Sequence, residues 1–123
     1  MRVLLLPLCL IAVSCGGGGT SPTPTPSNPF TFTITAAGVS PKELTVPPGT
    51  RVLFENKDSR RHDMAADPHP EHDTDGCSGI NFVGVLNAAQ SKETGNMVTV
   101  KTCGFHDHDN PENTALHGRI IVR

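Results

Sequence analysis

Six histidines and two cysteines crowd into one half of this 123-residue chain: His62, His69, His72, Cys77, Cys103, His106, His108 and His117. Imidazole and thiolate together suit soft or borderline metals, copper and zinc above all. Most of these residues lie in segments without apolar periodicity, so a role as packed core histidines has little to support it. The tightest pattern is Cys103-Gly104-Phe105-His106 at the end of an alternating run, with His62 just past another such run. One thiolate and two imidazoles form the trigonal donor set of a blue-copper centre. Two neighbouring strands holding those donors would limit the reorganisation that accompanies a change of copper oxidation state. A nucleophile–base reading of Cys103 and His106 is weaker, because close neighbours on one loop share a metal more readily than they align for proton transfer. The chain has no Gly-x-Ser-x-Gly elbow and no phosphate-cradling loop.

The elements that must hold these residues read as short strands. Residues 30–35 alternate Phe30, Phe32 and Ile34 with threonines, the period of a half-buried strand. Leu44 and Val46 alternate again before Pro47-Pro48-Gly49 forces a turn. Residues 50–56 continue as a strand, with Val52 and Phe54 on one side and Arg51, Leu53 and Glu55 on the other. Residues 57–79 are polar and read as a loop, residues 82–86 as a short apolar stretch, and 90–96 as a polar turn. Residues 97–103 read as a strand with Val98 and Val100 on one face, 104–116 as a loop, and 119–122 as the closing strand. Short strands at this spacing predict an all-β, Greek-key β-sandwich.

Residues 30–123 resemble the cupredoxins, the plastocyanin-like small copper proteins. The run from Leu44 to Asn56 is similar to that family's second and third strands, in which an Asn after the aromatic precedes the first copper histidine, here His62. Cys103 and His106 match its Cys-x-x-His pair, and Leu116-His117-Gly118-Arg119-Ile120-Ile121-Val122 resembles its closing Met-x-Gly-x-hydrophobic strand. The resemblance implies a sandwich that binds one type 1-like copper for electron transfer, with metal ligands His62, Cys103 and His106. It departs from the family at Leu116, which takes the axial methionine's position and cannot coordinate. His117 or Met64 is then the candidate fourth ligand. The loop after His106 is long and carries Asp107, His108, Asp109 and Glu112. Residues 62–77 add His69, His72 and Cys77 among Asp63, Asp67, Glu71, Asp73 and Asp75. That acidic stretch reads as a solvated loop or as a second site built on His69 and His72.

Three alternatives stay open at this stage. A Cys77–Cys103 disulfide would remove the thiolate and leave a stapled interaction domain, with a histidine-only metal site or none. His106-x-His108 followed by Asn113-Thr114-Ala115 resembles the His-x-His strand of copper/zinc superoxide dismutases, with His62, His69 and His72 as further ligands; this is the enzyme alternative to a non-enzymatic carrier. A copper storage or delivery protein that recruits His69, His72, His108 and His117 is the remaining reading, and zinc is the alternative ion.

The N-terminus bears on compartment. Arg2 precedes an apolar run over residues 3–13, too short for a spanning helix and suited to a secretory signal. Ala12-Val13-Ser14-Cys15 resembles the bacterial lipobox, which implies cleavage after residue 14, lipidation of Cys15 and a bacterial membrane anchor, outer membrane by preference since Gly16 follows. Residues 15–29 are a Gly/Thr/Pro tether. Loss of Arg2 takes the net charge from −2 to −3, and the chain has five Phe, no Trp and no Tyr. Neither a phosphate-binding face nor a base-stacking platform is available, which excludes nucleic acid as partner. The expected partners are a redox protein or a copper donor or acceptor.

Overall fold

The computed structural model describes residues 16–19, 27–72 and 75–123. The expected signal peptide, Cys15 and most of the tether lie outside the described residues; residues 16–19 are exposed and carry no regular structure. No helix among the described residues is long and apolar enough to cross a membrane.

Two sheets build the domain. The first has β1 (Thr31–Thr35), β2 (Gly38–Ser40), β4 (Leu53–Asn56) and β7 (Ser91–Glu93) in the order β2-β1-β4-β7. The second has β3 (Glu43–Val46), β5 (His62–Ala66), β6 (Gly84–Leu86), β8 (Thr102–Asp107) and β9 (Gly118–Val122) in the order β3-β9-β8-β5-β6. Both sheets are mixed: β1 runs parallel to β4 and β3 parallel to β9, the other pairs antiparallel. The chain changes sheet between β2 and β3, β3 and β4, β4 and β5, β6 and β7, and β7 and β8, in keeping with the sandwich expected from the sequence.

Alternation drives the inner faces together. Phe32 and Ile34 of β1 and Phe54 of β4 are fully buried, and they meet Ile120 and Val122 of β9 and Phe105 of β8 in one apolar cluster. Three rings bind the layers, with centroids at 5.1 Å for Phe32–Phe54, 4.8 Å for Phe32–Phe105 and 5.0 Å for Phe54–Phe105. The last two contacts are edge-on, the geometry that aromatic quadrupoles favour. Gly118 is required where it stands, since a Cβ there would lie 2.4 Å from the Phe105 ring.

Four sequence expectations change. Residues 57–79 contain β5, whose inward positions His62, Met64 and Ala66 do alternate; a buried histidine hid the pattern. Residues 90–96 contain β7, an edge strand of exposed Ser91, Lys92 and Glu93 that no apolar signal announces. Residues 97–101 are not a strand: Met97 makes a single bridge to Thr50, and Val98 and Val100 are 63% and 66% exposed. Finally, β8 continues through Asp107, so His106 lies within a strand rather than in a loop.

Candidate metal centre

The pairing of β5 with β8 decides which side chains can meet. Its register sets Met64 opposite Asp107, Ala65 opposite His106 and Ala66 opposite Phe105. Opposed residues share a face and neighbours along a strand alternate. His62 and Met64 therefore point inward with Cys103, Phe105 and Asp107, whereas Asp63 and Ala65 point outward with Gly104 and His106.

On the inner side, His62 is 1% exposed and both its nitrogens face carboxylates. Nδ1 lies 2.8 Å from Asp107 Oδ2 and Nε2 lies 3.0 Å from Asp58 Oδ2, so each ring nitrogen is engaged by a carboxylate. Arg60 adds Nε at 3.0 Å and Nη2 at 2.9 Å to Asp58. Burial pushes the Asp58 carboxyl up, but hydrogen bonds from Arg60, His62 and the Ser59 amide outweigh it and hold the carboxyl at about 2. Asp107 follows the same logic: burial raises it, and donation from His62, the Asp63 and Asp109 amides and Asn110 lowers it further.

Cys103 is bonded to Cys77 with an S–S distance of 2.07 Å. The expected donor set of His62, Cys103 and His106 is thus corrected on three counts. The sulfur is not a thiolate, so a type 1-like centre loses its defining ligand. The His62 nitrogens are both spent on carboxylates. His106 lies on the opposite face from both His62 and Cys103: a Cys-x-x-His spacing sets its ends three positions apart in a continuous strand, and the β5–β8 register puts His62 on the Cys103 side. Leu116 at the expected axial position and Met64 are both core residues. His117 Nε2 donates to Pro111 O at 2.8 Å, with its ring 6.2 Å from that of His106.

The outer side assembles one expected ligand, His106, with three histidines that sequence reading ranked as secondary. His69, His72, His106 and His108 each place a ring nitrogen so that all four ligand atoms lie within 4.8 Å of one another. His106 in β8 and His108, one residue past its end, bring their rings to the same side. The His108 amide donates to Asp63 O at 2.6 Å, which ties the start of the turn after β8 to β5. His69 and His72 lie in the chain between two attachments to β8. The Asp67 amide donates to Gly104 O at 3.0 Å at one end, and Cys77 is bonded to Cys103 at the other. Inside the loop the His72 amide donates to Pro68 O at 2.7 Å, and His72 sits in the left-handed region at φ 52. A non-glycine residue held there is strained, and such strain gathers at functional sites.

Three features suit the cluster to a cation. His106 Nε2 is buried without a hydrogen-bond partner, and an orphaned buried nitrogen is costly. His108 Nδ1 and His72 Nε2 stand 2.9 Å apart, so one of them carries a proton that a metal would replace. Burial, then the neighbouring imidazoles of His108, His106 and His69, lower the His72 pKa, with Asp63 opposing; this favours the neutral ring that metals need. Imidazole nitrogens ligate at about 2.0–2.1 Å, so closing this tetrad on one ion takes shifts of about an ångström or less. The residues fit a metal held by nitrogen alone, a donor set that copper and zinc both accept. Sequence reading had the signals, His69-x-x-His72 and His106-x-His108, but not their convergence; it missed Asp58 as a partner of His62.

The same architecture occurs in solved structures of other proteins. A purple cupredoxin from Nitrosopumilus maritimus is 21% identical, with 76% of this chain and 98% of that one covered and a TM-score of 0.57. Oxidised plastocyanin from Dryopteris crassirhizoma is 15% identical, with 76% and 99% covered and a TM-score of 0.58. An oxidised amicyanin mutant is 18% identical, with 76% and 81% covered and a TM-score of 0.58. No protein-family model matches the sequence, and no curated protein is significantly similar to it.

Proposed function

From a sandwich of the cupredoxin fold with four convergent imidazoles, we propose that this chain is an exported copper-binding electron-transfer protein whose ion is held by His69, His72, His106 and His108. The observation that carries this reading is the buried, unpartnered His106 Nε2 in a cluster whose ligand atoms lie within 4.8 Å. A bound copper would supply a one-electron couple. The protein's part is to keep its donors in place through that change: His106 lies in β8 and His108 directly after it, and His69 and His72 stand between two ties to that strand, the Asp67 amide on Gly104 O and the Cys77–Cys103 bond. Export is supported by the disulfide, which persists in oxidising compartments, and by the signal-like N-terminus; a lipid on Cys15 would tether the domain to a bacterial membrane. The fold's solved neighbours, plastocyanin and amicyanin among them, support copper over zinc.

A second reading, copper storage or delivery, draws on the exposure of His69 and the partial exposure of His72 and His108, which let an ion exchange with a partner. Copper titration of the purified protein tests the common premise. The expected result is one ion per chain, pale colour, imidazole nitrogen couplings in the electron paramagnetic resonance spectrum, and no free thiol at Cys77 or Cys103. Intense blue colour with a titratable thiol, or no copper uptake, overturns it. A reversible one-electron wave favours electron transfer, rapid loss of copper to a weak chelator favours delivery, and superoxide turnover would revive the enzyme alternative.

A further inference from the structure

We propose that Asp67 is the positioning residue of this centre: its carboxylate selects the His106 tautomer that leaves Nε2 free to ligate, and Gly104 is the residue that permits this. The inference rests on the four-histidine reading and names what prepares that site. Asp67 Oδ1 lies 2.6 Å from His106 Nδ1. A carboxylate only accepts, so Nδ1 carries the proton and Nε2 the lone pair. Nε2 is the buried atom without a partner, and the ring is 1% exposed, so solvent does not compete for either nitrogen. A carboxylate behind a ligating imidazole also raises its basicity and fixes its plane.

Asp67 reaches that position by crossing β8 at Gly104. Its amide donates to Gly104 O at 3.0 Å. A Cβ built on Gly104 would stand 2.2 Å from Asp67 Oδ2 and 3.2 Å from its Cγ. Gly104 occupies an outward position of the strand, the same face as His106. Any side chain there would drive the carboxylate off the path to Nδ1 while leaving all four histidines in the sequence. The middle of Cys103-Gly104-Phe105-His106 thus carries a requirement of its own, separate from its outer residues.

The test uses Asp67→Ala, Asp67→Asn and Gly104→Ala in the full chain, with the circular dichroism spectrum and disulfide content as folding checks. Nitrogen-15 NMR of the metal-free protein reads the His106 tautomer, and competition titration with Cu(II) reads affinity. In the wild type, His106 is expected as a single Nδ1–H form. Asp67→Ala should give mixed tautomers and lower copper affinity by about 10- to 100-fold. Gly104→Ala should move both readouts in the same direction with Asp67 still present. Asp67→Asn, which keeps an accepting oxygen, should fall between. Should Gly104→Ala fail the folding checks, the variants at the half-buried Asp67 carry the test alone. An unchanged tautomer in Asp67→Ala, or wild-type affinity in both alanine variants, overturns the proposal. If wild-type protein takes up no copper, the four-histidine reading fails, and the tautomer measurement still decides Asp67.

Discussion

His62 and His106 occupy adjacent strands of one sheet, each almost wholly buried and each against an aspartate, yet they have opposite fates. His62 spends both nitrogens, on Asp107 at 2.8 Å and on Asp58 at 3.0 Å, and Arg60 completes a closed charge cluster. His106 spends one nitrogen on Asp67 at 2.6 Å and keeps the other unpartnered. Burial is therefore no guide to which histidine binds a metal. The useful quantity is how many of its two nitrogens the protein has already satisfied, and which face of the sheet the remaining one sees.

The sharpest way to break this contrast is to remove each ring in turn. His106→Ala takes out the central donor of the tetrad, and copper affinity should fall by about 100-fold or more while the fold persists. His62→Asn should leave copper affinity within a few-fold of wild type but lower stability by about 3 kcal/mol or more, since it strands a buried Asp107 charge. Isothermal titration and urea unfolding of the two variants give the comparison directly. Loss of copper binding in His62→Asn with His106→Ala unaffected would return the ion to the inner face and reverse the assignment.

A smaller effect should follow from opening the disulfide. Cys77 and Cys103 enclose a separation of 26 residues, and a cross-link of that span contributes about 3 kcal/mol. The double variant Cys77→Ser, Cys103→Ser should lose that stability. It should also weaken copper binding several-fold, because the far end of the loop bearing His69 and His72 is no longer held to β8. If copper affinity is unchanged, the Asp67–Gly104 end alone sets the loop. If copper binding instead tightens and turns intensely coloured when only Cys77 is replaced, the Cys103 thiolate is a ligand after all.

What sequence alone revealed divides along physical lines. Strands whose apolar residues face a core announced themselves, as in Phe32 and Ile34 of β1 or Ile120 and Val122 of β9. β7 did not, because an edge strand of Ser91, Lys92 and Glu93 buries nothing. Val98 and Val100 alternated convincingly and still face solvent, since alternation reports a shared side and not what lies there. The ligand types were legible and their grouping was not. Cys103 and His106 converge if the strand ends at Cys103 and diverge if it runs on to Asp107, and no local signal states where a ladder stops. The disulfide was legible as an option from compartment and count, but its effect was not: it closes the loop that delivers two of the four donors.

The least disruptive test separates the two faces by acidity. The folded Asp58 carboxyl stands at about 2, below the ordinary Asp value of about 3.9 that it regains on unfolding. A carboxyl depressed by folding lends stability that is complete above about pH 4 and is lost as pH falls through about 2. Asp107 is also lowered and contributes with the same sign. Arg60→Gln removes the hydrogen bond that does most to depress Asp58, so the acid loss should begin at higher pH, by a fraction of a unit. Arg60 is largely exposed, with 62% of its side chain accessible, so stability at neutral pH should hardly change. Circular dichroism against pH measures the midpoint, and copper affinity at pH 7 should stay at the wild-type value because Arg60 belongs to the inner cluster. A parallel drop in copper affinity would mean that the faces are energetically coupled through β5 and β8, and the division between a closed and an open histidine would have to be replaced by one shared network.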